Sequence, residues 1–139
     1  MSLEIHFEDI DKQDFSNLSL PHLLNIISEE EKITIGDINI IFCSDKYLLK
    51  MNKQYLSHDY FTDIITFDYS EENILSGDLF ISLDRVNDNA KHFSVTLLNE
   101  LARVVIHGIM HLTGYNDHTQ EEQKVMRKQE DKYLSLLFS

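Results

Sequence analysis

The 139-residue chain has little of what punctuates or cross-links a polypeptide: one cysteine, one proline and four glycines. The lone Cys43 excludes an internal disulfide and suits a reducing cytoplasm, the expected location. So little Pro and Gly, with 42% hydrophobic residues, argues against disorder, and no linker, repeat or low-complexity tract divides the chain. One domain over residues 1–139 is therefore expected. No apolar run approaches the roughly 20 residues of a membrane span. The opening MSLEIHFEDIDKQ lacks the basic and apolar regions of a signal peptide. Positive charge is also scarce: 12 Lys and Arg against 24 Asp and Glu give a net charge of −12. That balance weighs against general nucleic-acid binding, so any polyanion must be met by local patches.

What is present alternates between strand and helix patterns. LEIHFED places Leu3, Ile5 and Phe7 on one face, as a strand does. Leu20, Leu23, Leu24 and Ile27 recur at helical spacing, and GDINIIFCS reads as a strand opened by Gly36. SDKYLLKMNKQYL is a helix that Ser44 can cap. TDIITFDY and GDLFISL are short strands joined by the polar SEENILSGD, and one long helix is expected from about Asp84 to Leu112. Thr119 with Glu122 forms a capping box for a last helix reaching Leu137. The order implies an α+β domain with one mixed sheet of about four strands and helices packed on it.

Three of the seven histidines fall in IHGIMHLTGYNDH. His107 and His111 are four residues apart, so they project from one helix face about one turn from each other. Leu98, Leu101, Val105, Ile109 and Leu112 supply the face to bury, while Glu100 shares the histidine face. Gly114 suits the left-handed conformation that ends a helix and returns the chain over its terminus. That turn delivers Asp117 and His118 near the pair. Two histidines on a helix with a third ligand after a glycine turn form a three-ligand zinc pattern with one position open. In the HExxH zinc proteases a glutamate base follows the first histidine; here Gly108 stands in that place, which disfavours a metallopeptidase.

IHGIMHLTGYND resembles the signature of the bacterial YbeY-type rRNA maturation factors, metal-dependent endoribonucleases. MNKQYLSHDYFTDIITF (51–67), GDLFIS (77–82) and EEQKVMRKQED (121–131) resemble further segments of that family in the same order, covering most of the chain from Gly36 onward. The resemblance implies an α+β fold with a Zn²⁺-type site at the C-terminal end of the long helix. It also implies cleavage of single-stranded RNA rather than DNA, with a role in 16S rRNA maturation and ribosome quality control. Partners would be the small ribosomal subunit or its assembly factors, with no membrane involved. In that family the third ligand is a histidine six residues after the second. Asp117 holds that spacing here, also when counted back from Met126, and His118 follows one residue later. Either can be the third ligand, the other then orienting a neighbour.

A second departure concerns phosphate. The family carries an arginine after the aromatic of the MNKQY segment; this chain has Leu56, with His58 as the nearest substitute. Lys46, Lys50 and Lys53 recur at helical spacing as a basic stripe, and Arg85, Lys91 and Arg103 add positive charge further on. Thr62 and Asp63 match the family's Thr-Asp pair. His6, His22 and His92 read as surface positions, and Cys43 as buried. A non-catalytic ribosome-assembly factor with a structural metal is the alternative to the nuclease, and a closed four-ligand site is what would favour it.

Overall fold

The computed structural model describes residues 2–57 and 62–139, so the expectation about His58 lies outside the described residues. Nine elements follow in order: β1 (Ser2–Phe7), α1 (Leu20–Glu31), β2 (Thr34–Cys43), α2 (Asp45–Leu56), β3 (Ile64–Asp68), β4 (Ile74–Ser82), α3 (Leu83–His92), α4 (Leu97–Leu112) and α5 (Gln120–Leu137). Among the described residues the strands form one sheet in the order β1-β2-β4-β3. β1 and β2, and β2 and β4, pair in parallel; β3 runs antiparallel to β4 and forms an edge. The mixed α+β sheet is the one expected. β4 begins at Ile74 rather than Gly77, because Glu71 and Ile74 already pair across the tight turn that precedes it.

Strand alternation splits the interior into two layers. Ile38, Ile40, Phe42, Leu79 and Ile81 face α1, α4 and α5 in the main core. Cys43 and Ile65 face the opposite way, under Leu48 of α2, with Phe67 and Phe80 beside them. Ser44 caps α2 by accepting the Tyr47 N–H, and Thr119 with Glu122 closes both halves of the capping box that starts α5.

The long helix expected over 84–112 is instead two helices, α3 and α4, bent through 117°. Ser94 takes a left-handed φ of 55°, and Thr96 restarts the helix by accepting the Asn99 N–H at 3.1 Å. An N-cap of this kind satisfies a backbone donor that a continuous helix would not have left open. The bend lets α4 lie on the sheet. At Gly108 the helix packs so tightly on the sheet that a Cβ would stand 2.6 Å from Leu79 Cδ2 and 2.7 Å from Ile64 Cδ1. No single helix among the described residues is long and apolar enough to cross a membrane.

Candidate metal centre and its cleft

α4 ends in a Schellman arrangement. The Tyr115 N–H reaches the Met110 carbonyl at 3.0 Å, the Gly114 N–H reaches that of His111 at 3.1 Å, and Gly114 sits at φ +107°. The turn brings Asp117 back over the helix end. Its Oδ2 lies 3.3 Å from Nε2 of His107 and 3.3 Å from Nε2 of His111, while the two Nε2 atoms are 3.0 Å apart. In a tetrahedral site with metal–ligand bonds of about 2.0–2.1 Å, neighbouring ligand atoms stand about 3.3 Å apart. The triangle matches that edge length, so His107, His111 and Asp117 could hold a metal ion. His118, offered by the sequence as the other third ligand, is exposed and lies outside this group.

The outer nitrogens decide the tautomers. His107 Nδ1 is 2.7 Å from Glu130 Oε2, and His111 Nδ1 is 3.0 Å from the Tyr115 carbonyl. Burial alone would raise the Glu130 carboxyl, but hydrogen bonds from His107 and Arg103 outweigh it and hold the group below its usual range. A carboxylate and a carbonyl only accept, so both Nδ1 atoms must donate. Each Nε2 is then left with a lone pair. Two nitrogen lone pairs and a carboxylate oxygen converge on one point, which only a cation or an added proton relieves. The His107 imidazole registers the same field: burial pushes its pKa down, and Glu130, Asp63 and Asp117 more than reverse this, leaving it raised.

The group lines a cleft of about 580 Å³ between α4, α5 and the edge strand β3. Asp63 and Glu100 both line it. Burial raises the Asp63 carboxyl against the opposing pull of His107, and burial with the Asp63 charge raises Glu100. Glu100 is buried at 4% exposure, on the histidine face where helical phase placed it. Leu56 also lines the cleft, 41% exposed. Sequence reasoning missed Glu130, which lies 23 residues from its histidine and has no local pattern to betray it. It also counted Arg103 and Arg85 as positive charge for RNA. The structure ties Arg103 to Glu130 at 2.9 Å and Asp131 at 2.8 Å, and Arg85 to Asp45 at 2.6 Å. The more exposed cation of the lining is Arg127, 58% exposed and 3.6 Å from Glu130. Gly108 takes its meaning from packing: the sheet beneath it has no room for the glutamate a peptidase would carry there.

The turn is tied to the rest of the fold through Tyr115. Its hydroxyl donates to Glu31 Oε1 at 2.9 Å and accepts from Gln129 Nε2 at 2.8 Å, and Tyr133 donates to the other Glu31 oxygen. The residue whose carbonyl orients His111 is thus clamped between α1 and α5.

Known proteins agree with this architecture along its length. The family profile described as endoribonuclease YbeY matches residues 2–137. A Cytophaga hutchinsonii protein named endoribonuclease YbeY is 55% identical over 114 residues, 81% of this chain and 80% of its own. A Parabacteroides distasonis protein of the same name is 44% identical over 137 residues, covering 99% and 96%. A Thermotoga maritima protein solved in solution superposes with a TM-score of 0.64 at 31% identity, over 98% of this chain and 89% of that one. A match that runs from β1 to the end of α5, with same-named relatives spanning almost every residue, admits one assignment: the chain belongs to the endoribonuclease YbeY family.

Proposed function

We propose that the chain cuts single-stranded RNA at one zinc-type ion held by His107, His111 and Asp117, and that its cytoplasmic task is 16S rRNA maturation and ribosome quality control with the small subunit or its assembly factors. That it is an endoribonuclease, a hydrolase acting on RNA, follows from its family. The finer reading rests above all on the two imidazoles whose Nδ1 atoms are committed as donors, leaving both Nε2 lone pairs and the Asp117 carboxylate aimed at one point. Two nitrogens and one oxygen are a donor set that suits zinc. When bound, such an ion supplies Lewis-acid polarisation of a phosphodiester and acidification of water. Glu130 and the Tyr115 carbonyl fix the ligand tautomers. Arg127, at the rim, supplies positive charge to a phosphate entering the cleft. A structural metal in a non-catalytic assembly factor would be enclosed by protein; these ligands line a cleft instead.

The test is elemental analysis of the purified protein alongside cleavage of a single-stranded RNA. About one zinc per chain is expected, lost together with cleavage in the His107→Ala/His111→Ala double variant. Chelator competition then ranks Asp117→Ala well below His118→Ala in metal affinity. A folded double variant that keeps its metal refutes the site, and the reverse ranking would assign the third ligand to His118.

A further inference from the structure

We propose that the groove between α2 and the α2-facing side of β3 and β4 is a nucleobase subsite, in which one base of a single-stranded RNA stacks while its strand runs on into the metal cleft. The inference deepens the RNA reading above and rests on it. The groove holds about 430 Å³ and is lined chiefly by Tyr55, Phe67, Tyr69 and Phe80, with Lys50 at its edge. Aromatic rings ordinarily serve a core, yet Tyr55 and Tyr69 are 60% and 59% exposed. Phe67 forms the centre. Tyr55 meets it edge-on at 6.2 Å and 89°, and Phe80 meets it edge-on at 5.8 Å and 84°. An edge-on contact covers at most one face of a ring, so among the described residues these rings keep π-faces on which no aromatic is stacked, the surface that a flat base covers.

Two further observations say what covers them. The groove lies on the α2 face of the sheet and the metal cleft on the α4 face, and the two adjoin around the edge strand β3 and the C-terminal end of α2. On α2, Tyr55 lines the groove and Leu56 the cleft; on β3, Phe67 lines the groove and Thr66 the cleft. A single strand bound across the metal reaches the groove by bending around the sheet edge at β3, a span that a polymer can make and a free small ligand cannot. Charge points the same way. In a chain of net charge −12, Lys46, Lys50 and Lys53 are exposed on α2 at helical spacing, and Lys50 borders the groove itself. A line of cations beside exposed aromatic faces is how single-stranded nucleic acid is held without reading its sequence. Gln54 and Asp78 add polar groups where the edge of a base would lie.

The test uses the metal-loaded protein and short single-stranded RNAs carrying one 2-aminopurine at successive positions. Stacking on tyrosine quenches this base, so mixing should quench it at one position, at a fixed offset from the bond that is later cut. Tyr55→Ala and Tyr69→Ala, both at exposed sites, should abolish the quench and raise KM by roughly five- to a hundredfold. Tyr55→Phe, which keeps the ring, should restore both. Unchanged KM and quench in both alanine variants overturn the subsite and leave the nuclease reading intact. A KM rise that phenylalanine does not rescue, with no quench in the wild type, also overturns it. If the wild type shows no metal-dependent cleavage the nuclease reading fails, and the quench on mixing still decides the groove: a wild type that quenches no position refutes it.

Discussion

Replacing Glu130 by glutamine keeps the side chain's size and removes its charge, and the two groups it serves make the outcome calculable. Oε2 accepts from His107 Nδ1 at 2.7 Å and Oε1 from Arg103 Nη1 at 2.9 Å, so both partners are donors. An amide has one oxygen and one NH₂, and the NH₂ must face one of those donors. Arg103 cannot give up its proton. The amide oxygen therefore stays with Arg103, and His107 reverses its tautomer to accept from the NH₂. Its proton then sits on Nε2, on the lone pair that would ligate metal. Losing a group that orients a ligand costs about 10–100-fold in metal affinity, or about 1.4–2.8 kcal/mol at 1.4 kcal/mol per decade. A forced wrong tautomer places Glu130→Gln at the upper end. Chelator competition measures the affinity, and long-range ¹H–¹⁵N spectra of the imidazole report the tautomer. Melting in excess chelator separates the cost to the apo fold. Metal affinity within about threefold of wild type, or an unchanged His107 tautomer, would refute the reasoning.

Gly108→Ala should destabilise by about 0–2 kcal/mol net. The methyl overpacks Leu79 and Ile64, at a cost of about 1–3 kcal/mol, while the helix regains about 1. Gly108→Glu should not fold, and a Gly108→Ala Tm above wild type or a folded Gly108→Glu would contradict the close approach of α4 to the sheet. Burial and the nearby acids Asp9, Glu8, Asp84 and Asp45 push the Cys43 thiol up to about 12. It should therefore resist alkylation at pH 8 until the protein unfolds; stoichiometric labelling of the native chain would count against it. Leu56→Arg, at the 41% exposed cleft position, should speed cleavage of single-stranded RNA by on the order of ten- to a hundredfold through a charge-assisted phosphate contact. An unchanged initial rate at matched low salt would show that Arg127 or the lysine stripe already fills that role.

How far the site is legible in the sequence depends on the range of the interactions that build it. His107 and His111 announce themselves because helix geometry converts a spacing of four into a shared face. Gly114 is equally local, since a Schellman turn needs a residue at positive φ. Asp117 and His118 could not be separated that way, because the answer depends on where a turn of several residues ends. Glu130 is invisible to any local pattern: an acid in a charged helix looks like surface until α5 packs against α4, whereas Tyr133 shares a helical stripe with Met126 and Leu137. The long helix was overread for the opposite reason. Apolar residues persist on both sides of Ser94, and a serine at φ 55° carries no compositional warning; the cap at Thr96 was the available signal.

The clamp on Tyr115 bears on when the protein can act. Glu31, Tyr115, Gln129 and Tyr133 meet across separations of up to 102 residues, and Glu130 lies in the same last helix. Contacts this remote in sequence are made only once both partners have been synthesised. A nascent chain still lacking α5 therefore holds both histidines and Asp117 but neither the acceptor that sets the His107 tautomer nor the clamp that steadies the turn. Placing those groups in α5 makes the docking of that one helix complete both the acceptor of His107 and the support of the turn, so the centre takes its final form only when the fold closes around it.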